Sequence, residues 1–338
     1  MLAETSRSNL APGLSICRIL NGMWQVSGGH GAVHPQRAVQ DMHHYVDEGF
    51  TTWDLADHYG PAEDLIGAFR ESLEAAKGGP ALDGVQAFTK WVPSPGPMAI
   101  STVRQAVGRS LDRMRCASID LMQFHWWEYE DSRYMEALEG LATMQQEGRI
   151  HHLGLTNFDT KRVMEIVESG IPIVSNQVQY SLIDRRPSVA MTPLSRERGI
   201  GLLTYGTLCG GLLSERFLGQ PEPSRQVLDT VSLRKYKQMV DAWGGWALFQ
   251  ELLAVLKHVA GRHEASIANV AVRYVLDQPA VAGVIVGVRL GAAEHRADNA
   301  RVFSCSLDGD DLERIELVQR KSHDLFRTIG DCGDEYRR

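Results

Sequence analysis

"IDLMQFHWWEYEDSRYMEALEGLATMQQEGRIHHLGLTNF", residues 119–158, holds two apolar runs rich in β-forming residues (119–127 and 150–158), with a segment of helical period between them at 133–147. A helix between two strands carries the chain back along the sheet before the second strand begins, so the two strands run parallel. The alternation extends in both directions. Before it come strands in "RILNGMWQV" (18–26), "TTWDLA" (51–56) and "VQAFTKWV" (85–92), each followed by a helical segment, near 36–48, 61–75 and 99–114. After it come a helix near 160–169, "PIVSNQVQYS" (172–181), a helix near 186–198 and "IGLLTYGTL" (200–208). A longer stretch of irregular chain and helix fills 211–262, then a helix near 266–277, "VAGVIVGV" (281–288) and a helix near 292–301.

Eight such units predict an α/β fold of the (β/α)8 TIM barrel type. The competing open sheet would carry the dinucleotide loop GxGxxG after its first strand, which the chain lacks; "SGGHG" (27–31) has the wrong spacing and reads as a flexible loop. The expectation is one barrel domain over 1–338, with its core at about 14–306. It carries an inserted segment before strand eight and a C-terminal extension at 307–338, whose end, "HDLFRTIGDCGDEYRR", leaves open whether it folds over a pocket.

Bulk properties narrow the function. The 338 residues are 43% hydrophobic and 23% charged, the balance of a globular chain with a large core. A net charge of -7 with no basic run argues against nucleic acid or an anionic membrane as partner and in favour of a small molecule. No apolar stretch is long enough to span a bilayer and the N-terminal residues lack a signal-peptide pattern, so the expected location is the cytoplasm. Cys17, Cys116, Cys209, Cys305 and Cys332 are scattered without CxxC spacing and read as reduced thiols. No metal site is expected: His43 with His44 and His151 with His152 are adjacent pairs whose side chains point apart.

In a (β/α)8 barrel the reactive groups stand at the C-terminal ends of strands. There the chain places Asp54 and Tyr59, Lys90, His125, Thr156 and Asn157, Gln177, and Tyr205. A lysine closing an apolar strand calls for a paired charge, which Asp54 provides. With the ammonium against Tyr59, the phenol's pKa is expected to fall and Tyr59 to serve as an acid, while His125 donates a hydrogen bond to a carbonyl oxygen. Thr156, Asn157 and Gln177 suit a flat carboxamide, and Tyr205 offers a ring for stacking. Trp24, Trp91, Trp126 and Trp127 adjoin these positions and suggest an aromatic pocket wall.

Together these motifs resemble the aldo-keto reductase family. "WDLADHYGPAEDLIG" is similar to its DTAxxYGxxExxxG signature, "FTK" to its lysine strand, "IDLMQFHWWE" to DLxxxHxxD, "GLTNF" to GxSNF and "NQVQYS" to NQxxY. "TYGTLCGGLLSE" resembles YSPLxxGLL, and "VIVGVRLGAAEHRADN" the cofactor-phosphate segment. The resemblance spans about residues 14–306 and implies an NADPH-binding barrel that reduces an aldehyde or ketone to an alcohol. It implies a tetrad of Asp54, Tyr59, Lys90 and His125, with Tyr59 as proton donor. Carboxamide contacts would come from Thr156, Asn157 and Gln177, nicotinamide stacking from Tyr205, and phosphate contacts from the segment with Gly287, Arg289, His295 and Asn299. Thr156 stands where the family has serine, and two extra residues precede Asn299, so NADH stays open beside NADPH. The substrate would be a small carbonyl compound. Its identity and the oligomeric state stay open, as do two other readings: a cofactor-binding regulatory subunit of a channel or complex, and a non-redox barrel isomerase or lyase.

Overall fold

The computed structural model describes residues 2–29 and 33–337. Of the 27–31 loop reading, His30 and Gly31 lie outside the described residues. The chain opens with a hairpin that the sequence reading did not foresee, β1 (Arg7–Ala11) paired antiparallel with β2 (Leu14–Cys17). Eight parallel strands follow: β3 (Ile19–Gly22), β4 (Thr52–Asp54), β5 (Gln86–Trp91), β6 (Ile119–His125), β7 (Ile150–Thr156), β8 (Ile173–Gln179), β9 (Gly201–Tyr205) and β10 (Val281–Gly287). They close into a barrel in chain order, with β10 hydrogen-bonded to both β9 and β3.

The barrel is wrapped by α1 (Pro35–Glu48), α2 (Ala62–Lys77), α3 (Ile100–Met114), α4 (Tyr134–Gln146), α5 (Thr160–Glu168), α6 (Met191–Arg198), α7 (Val231–Trp243), α8 (Gly245–Arg262), α9 (Ile267–Leu276) and α10 (Arg296–Arg301). Two further helices, α11 (Gly309–Gln319) and α12 (Leu325–Thr328), form the C-terminal extension. The expected insertion before the eighth barrel strand is mainly α7 and α8, which break apart at Gly244, a residue at φ 157°. The first barrel strand is shorter than expected, because the chain turns at Met23 into a short helical turn to Ser27. The last repeat helix starts at Arg296, not near 292, and has only six residues.

Strand alternation divides the barrel interior into levels. Leu20, Phe88, Leu121 and Leu203 point inward low in the barrel and pack with Leu10, Leu14 and Ile16 of the hairpin into a separate apolar cluster. Two residues further along the same faces stand Lys90, Gln123 and Tyr205. The lumen is therefore apolar at its floor, which the hairpin closes, and polar at its mouth.

Candidate active site

Register brings the polar groups together at the strand ends that form the mouth. Lys90 pairs with Gln123, His125 with Thr156, Thr156 with Gln177, and Gln179 with Tyr205 across neighbouring strands. Lys90 Nζ donates to Asp54 Oδ2 at 2.6 Å and to the Leu55 carbonyl at 2.7 Å, with both charged side chains almost fully buried. The expected pairing is present, and removing one partner of such a pair costs roughly 3–5 kcal/mol because a charge is stranded in the interior. Beyond β4 the chain stays bonded to β5, through Leu55 N to Phe88 O and Asp57 N to Lys90 O, before turning at Tyr59 into α2. That turn places the Lys90 ammonium 4.9 Å from the centroid of the Tyr59 ring.

The proximity does not depress the phenol as the sequence reading expected. Burial pushes Tyr59 well above the ordinary tyrosine range, and Asp54, Tyr336 and Asp57 add to the effect. The Lys90 ammonium is paired with Asp54 and stands over the Tyr59 ring. Tyr59 is therefore a protonated phenol at neutral pH. Lys90 itself is lowered from the ordinary lysine range by burial, against the opposing pull of Asp54.

His125 Nδ1 lies 2.9 Å from the Thr156 carbonyl oxygen, which can only accept, so Nδ1 carries the proton. Burial lowers the imidazole to about 4, leaving it neutral. Nε2, buried and without a hydrogen-bond partner, then presents a lone pair. The expected donation from His125 to a carbonyl is thus reversed: in this tautomer Nε2 accepts.

Two residues near Asp54 matter more than the sequence reading allowed. Gln123 Nε2 donates to Asp54 Oδ1 at 3.0 Å, and Gln177 Nε2 donates to the same oxygen at 2.8 Å and to Gln123 Oε1 at 2.7 Å. Gln177, assigned by resemblance to a carboxamide, is thus also a partner of Asp54. Gln123 was missed, although it shares a strand face with His125, two residues on, and a buried glutamine on that face was the available signal.

Thr156 Oγ1 is buried without a partner, and Asn157, at φ 59°, accepts a hydrogen bond through Oδ1 from the Tyr205 hydroxyl at 2.8 Å. Gly287 ends β10 opposite Gly22, where an added Cβ would lie 2.1 Å from the Gln25 amide. Arg289 and His295 are exposed beyond that strand end, and Asn299 is half-buried in α10.

The four tryptophans separate. Trp24 packs edge-on against Tyr59 at 5.0 Å between centroids, and Trp127 edge-on against His125 at 4.3 Å. Trp91 and Trp126 do not reach this space. Trp91 follows the inward Lys90, so it points out of the barrel and packs on Phe124. Trp126 also packs on Phe124 while its indole N–H donates to the Glu128 and Asp131 carbonyls.

The C-terminal segment does fold over the mouth. Glu335 pairs with the buried Arg186, itself held by Asp184, and Thr160 N donates to Asp331. The Tyr336 hydroxyl lies 3.2 Å from that of Tyr205 and is hydrogen-bonded by Lys235, whose ammonium sits 4.4 Å from the Tyr336 ring centroid. The same ring lies 6.4 Å from His125 and 6.1 Å from Trp127. Arg337 covers the Tyr129 ring and donates to the Trp126 carbonyl.

A closed (β/α)8 barrel with a buried lysine–aspartate pair, a phenol and a neutral imidazole at its strand mouths is an arrangement capable of acid–base chemistry. The chain belongs to the aldo/keto reductase family, whose model matches residues 18–320, and by family it is an oxidoreductase acting on aldehydes or ketones. Members generally use NADH or NADPH. It is 26% identical over 322 residues to L-glyceraldehyde 3-phosphate reductase of Escherichia coli O157:H7, covering 90% of this chain and 89% of that protein. It is 23% identical over 339 residues to chloroplastic pyridoxal reductase of Arabidopsis thaliana, covering 93% and 88%. Flagellar radial spoke protein 5 of Chlamydomonas reinhardtii is 27% identical over 260 residues, which span 66% of this chain but only 49% of that protein. Among solved structures, the glycerol dehydrogenase AKR11B4 from Gluconobacter oxydans superposes with a TM-score of 0.76 at 23% identity, over 97% of this chain and 98% of that one, a likeness of fold. Among the described residues no helix is long and apolar enough to cross a membrane.

Proposed function

We propose that the protein is an NADPH-dependent reductase of a small aldehyde or ketone, with Tyr59 as the proton donor. The observation that carries this reading is the buried Lys90–Asp54 pair set against a protonated Tyr59. The donor set fits a nicotinamide: Thr156 Oγ1 is buried and unpartnered, Gln177 keeps its oxygen as an acceptor, and Tyr205 and Asn157 adjoin them. Arg289, with His295 and Asn299 in the following segment, would meet the adenosine phosphate, and an arginine there favours NADPH over NADH. When bound, the cofactor supplies the hydride.

Tyr59 then releases its proton to the carbonyl oxygen as that oxygen gains charge, and Lys90 steadies the phenolate that remains. Asp54 keeps Lys90 in place. The His125 Nε2 lone pair is placed to accept the hydroxyl hydrogen of the alcohol product once Tyr59 has given up its proton. Trp24 and Trp127 exclude water on either side. An L-glyceraldehyde 3-phosphate reductase and a pyridoxal reductase among the relatives support a small polar aldehyde as substrate.

The test is Tyr59→Phe. Turnover of NADPH with D,L-glyceraldehyde or 4-nitrobenzaldehyde should fall by about 10²–10⁴, the usual share of a general acid, while tryptophan fluorescence still reports NADPH binding within a few-fold of the parent. Retained turnover would remove Tyr59 from the acid role.

A further inference from the structure

Asp54 serves more than a lysine. Its Oδ2 takes the Lys90 ammonium, while Oδ1 accepts from two glutamine amides, Gln123 at 3.0 Å and Gln177 at 2.8 Å. A carboxylate at such distances can only accept, so both amides must turn their NH2 groups toward it. That fixes the Gln123 oxygen against Gln177 Nε2, at 2.7 Å, and commits both hydrogens of the Gln177 amide. Gln123 is fully buried and Gln177 nearly so.

The two glutamines are not on neighbouring strands, because β7 runs between β6 and β8. At the level of Gln123 the intervening residue is Gly154, where an added Cβ would stand 2.4 Å from Ser175 Oγ and 3.3 Å from Leu121. Gln123 on β6 and Gln177 on β8 thus form one bridge across β7 that ends on Asp54.

We propose that Gln123 is a positioning residue for the proton-transfer machinery. With Gln177 it holds Asp54 Oδ1, so that Oδ2 stays on Lys90 and the carboxylate's charge is shared between the lysine and the two amides. The proposal rests on the reading of Tyr59 as proton donor and deepens it. Without the bridge, more of the Asp54 charge bears on Lys90 and Tyr59, the phenol holds its proton harder, and transfer slows. The consequence is a shift in pH dependence as well as in rate. The groups that face Tyr59 and set that dependence are Asp54, Lys90, Asp57, His58 and Tyr336. Of these Gln123 bonds Asp54, and it acts on the others through that carboxylate.

The experiment follows kcat against pH with NADPH and 4-nitrobenzaldehyde for the parent, Gln123→Leu, Gln123→Glu and Tyr59→Phe. Gln123→Leu should lower kcat about tenfold at neutral pH, with KM for NADPH within about twofold, and move the alkaline limb to higher pH. Gln123→Glu supplies the variant that distinguishes positioning from packing. Protonated, its carboxylic acid donates to Asp54 and accepts from Gln177, so activity should return toward the parent at acidic pH and vanish as it ionises. An alkaline limb unmoved in Gln123→Leu, or a Gln123→Glu profile parallel to that of Gln123→Leu, would overturn the inference. If Gln123→Leu does not fold, the Gln123→Glu profile alone decides. Parent-like turnover in Tyr59→Phe would remove the underlying reading and this inference together, whereas its loss there with an unmoved limb in Gln123→Leu removes the inference alone.

Discussion

The two ends of the barrel are closed by opposite chemistry. At the floor, Leu10, Leu14 and Ile16 of the hairpin meet Leu20, Phe88, Leu121 and Leu203 in a purely apolar seal. At the mouth, residues 331–337 are held by Arg186, Asp184, Thr160, Lys235 and Tyr205, through ion pairs and hydrogen bonds. Burial of hydrocarbon is non-directional and indifferent to pH, whereas an ion pair requires its charges. The floor is therefore a structural closure, and the mouth is one that substitution or pH can change while the barrel persists.

The largest effect should come from the floor. Ile16 is fully buried, and Ile16→Ala should lower unfolding free energy by about 2–5 kcal/mol in urea titration while KM stays close to the parent value. A change in KM with little loss of stability would erase the distinction between the two ends.

Next comes the ionic anchor of the mouth. Burial alone would raise the Glu335 carboxyl, but the charge and hydrogen bond of Arg186 outweigh it, so the group sits below its ordinary value of 4.5. Its contribution is present above that value and is lost as pH falls through the lowered one. Protection of the amides in 331–337, relative to their intrinsic exchange rates, should fall as pH drops through that lowered value, while protection of the hairpin at 7–17 does not follow. Glu335→Gln should show the faster tail exchange already at neutral pH. Equal acceleration at both ends would mean that tail and floor open as one unit.

The smallest effect sharpens the picture at a single hydroxyl. Tyr336→Phe removes the contacts with Tyr205 and Lys235, worth about 1 kcal/mol, and should alter KM for the aldehyde a few-fold while the urea midpoint moves less than in Ile16→Ala. An unchanged KM would place the Tyr336 hydroxyl outside the path of the substrate.

The difference between the two ends also explains what could be read from the sequence. Eight alternations of apolar run and helical period are local signals, and each recurs in the barrel. The hairpin escaped because "RSNLAPGLSIC" mixes polar residues with Pro and Gly, and its three inward residues gain meaning only against Phe88, Leu121 and Leu203. The Lys90–Asp54 pair was legible because a charge at the end of an apolar strand needs a partner. Strand parity would also have separated Trp91 from Lys90 and drawn Gln123 to the face of His125. The proton on His125 Nδ1 was not legible, since it depends on a backbone carbonyl of the next strand. Nor was the docking of Tyr336 on Tyr205, a contact across 131 positions.

Barrel closure has a further consequence, for behaviour at high concentration. Each of the eight strands has a hydrogen-bonded neighbour on both sides, so the barrel sheet offers no free edge to another molecule. Among the described residues, sheet edges occur only in the hairpin, whose strands are five and four residues long and whose register slips between Asn9 and Ala11. Short, irregular edges are poor templates for intermolecular pairing, so resistance of the native protein to aggregation rests on keeping that hairpin seated beneath the barrel.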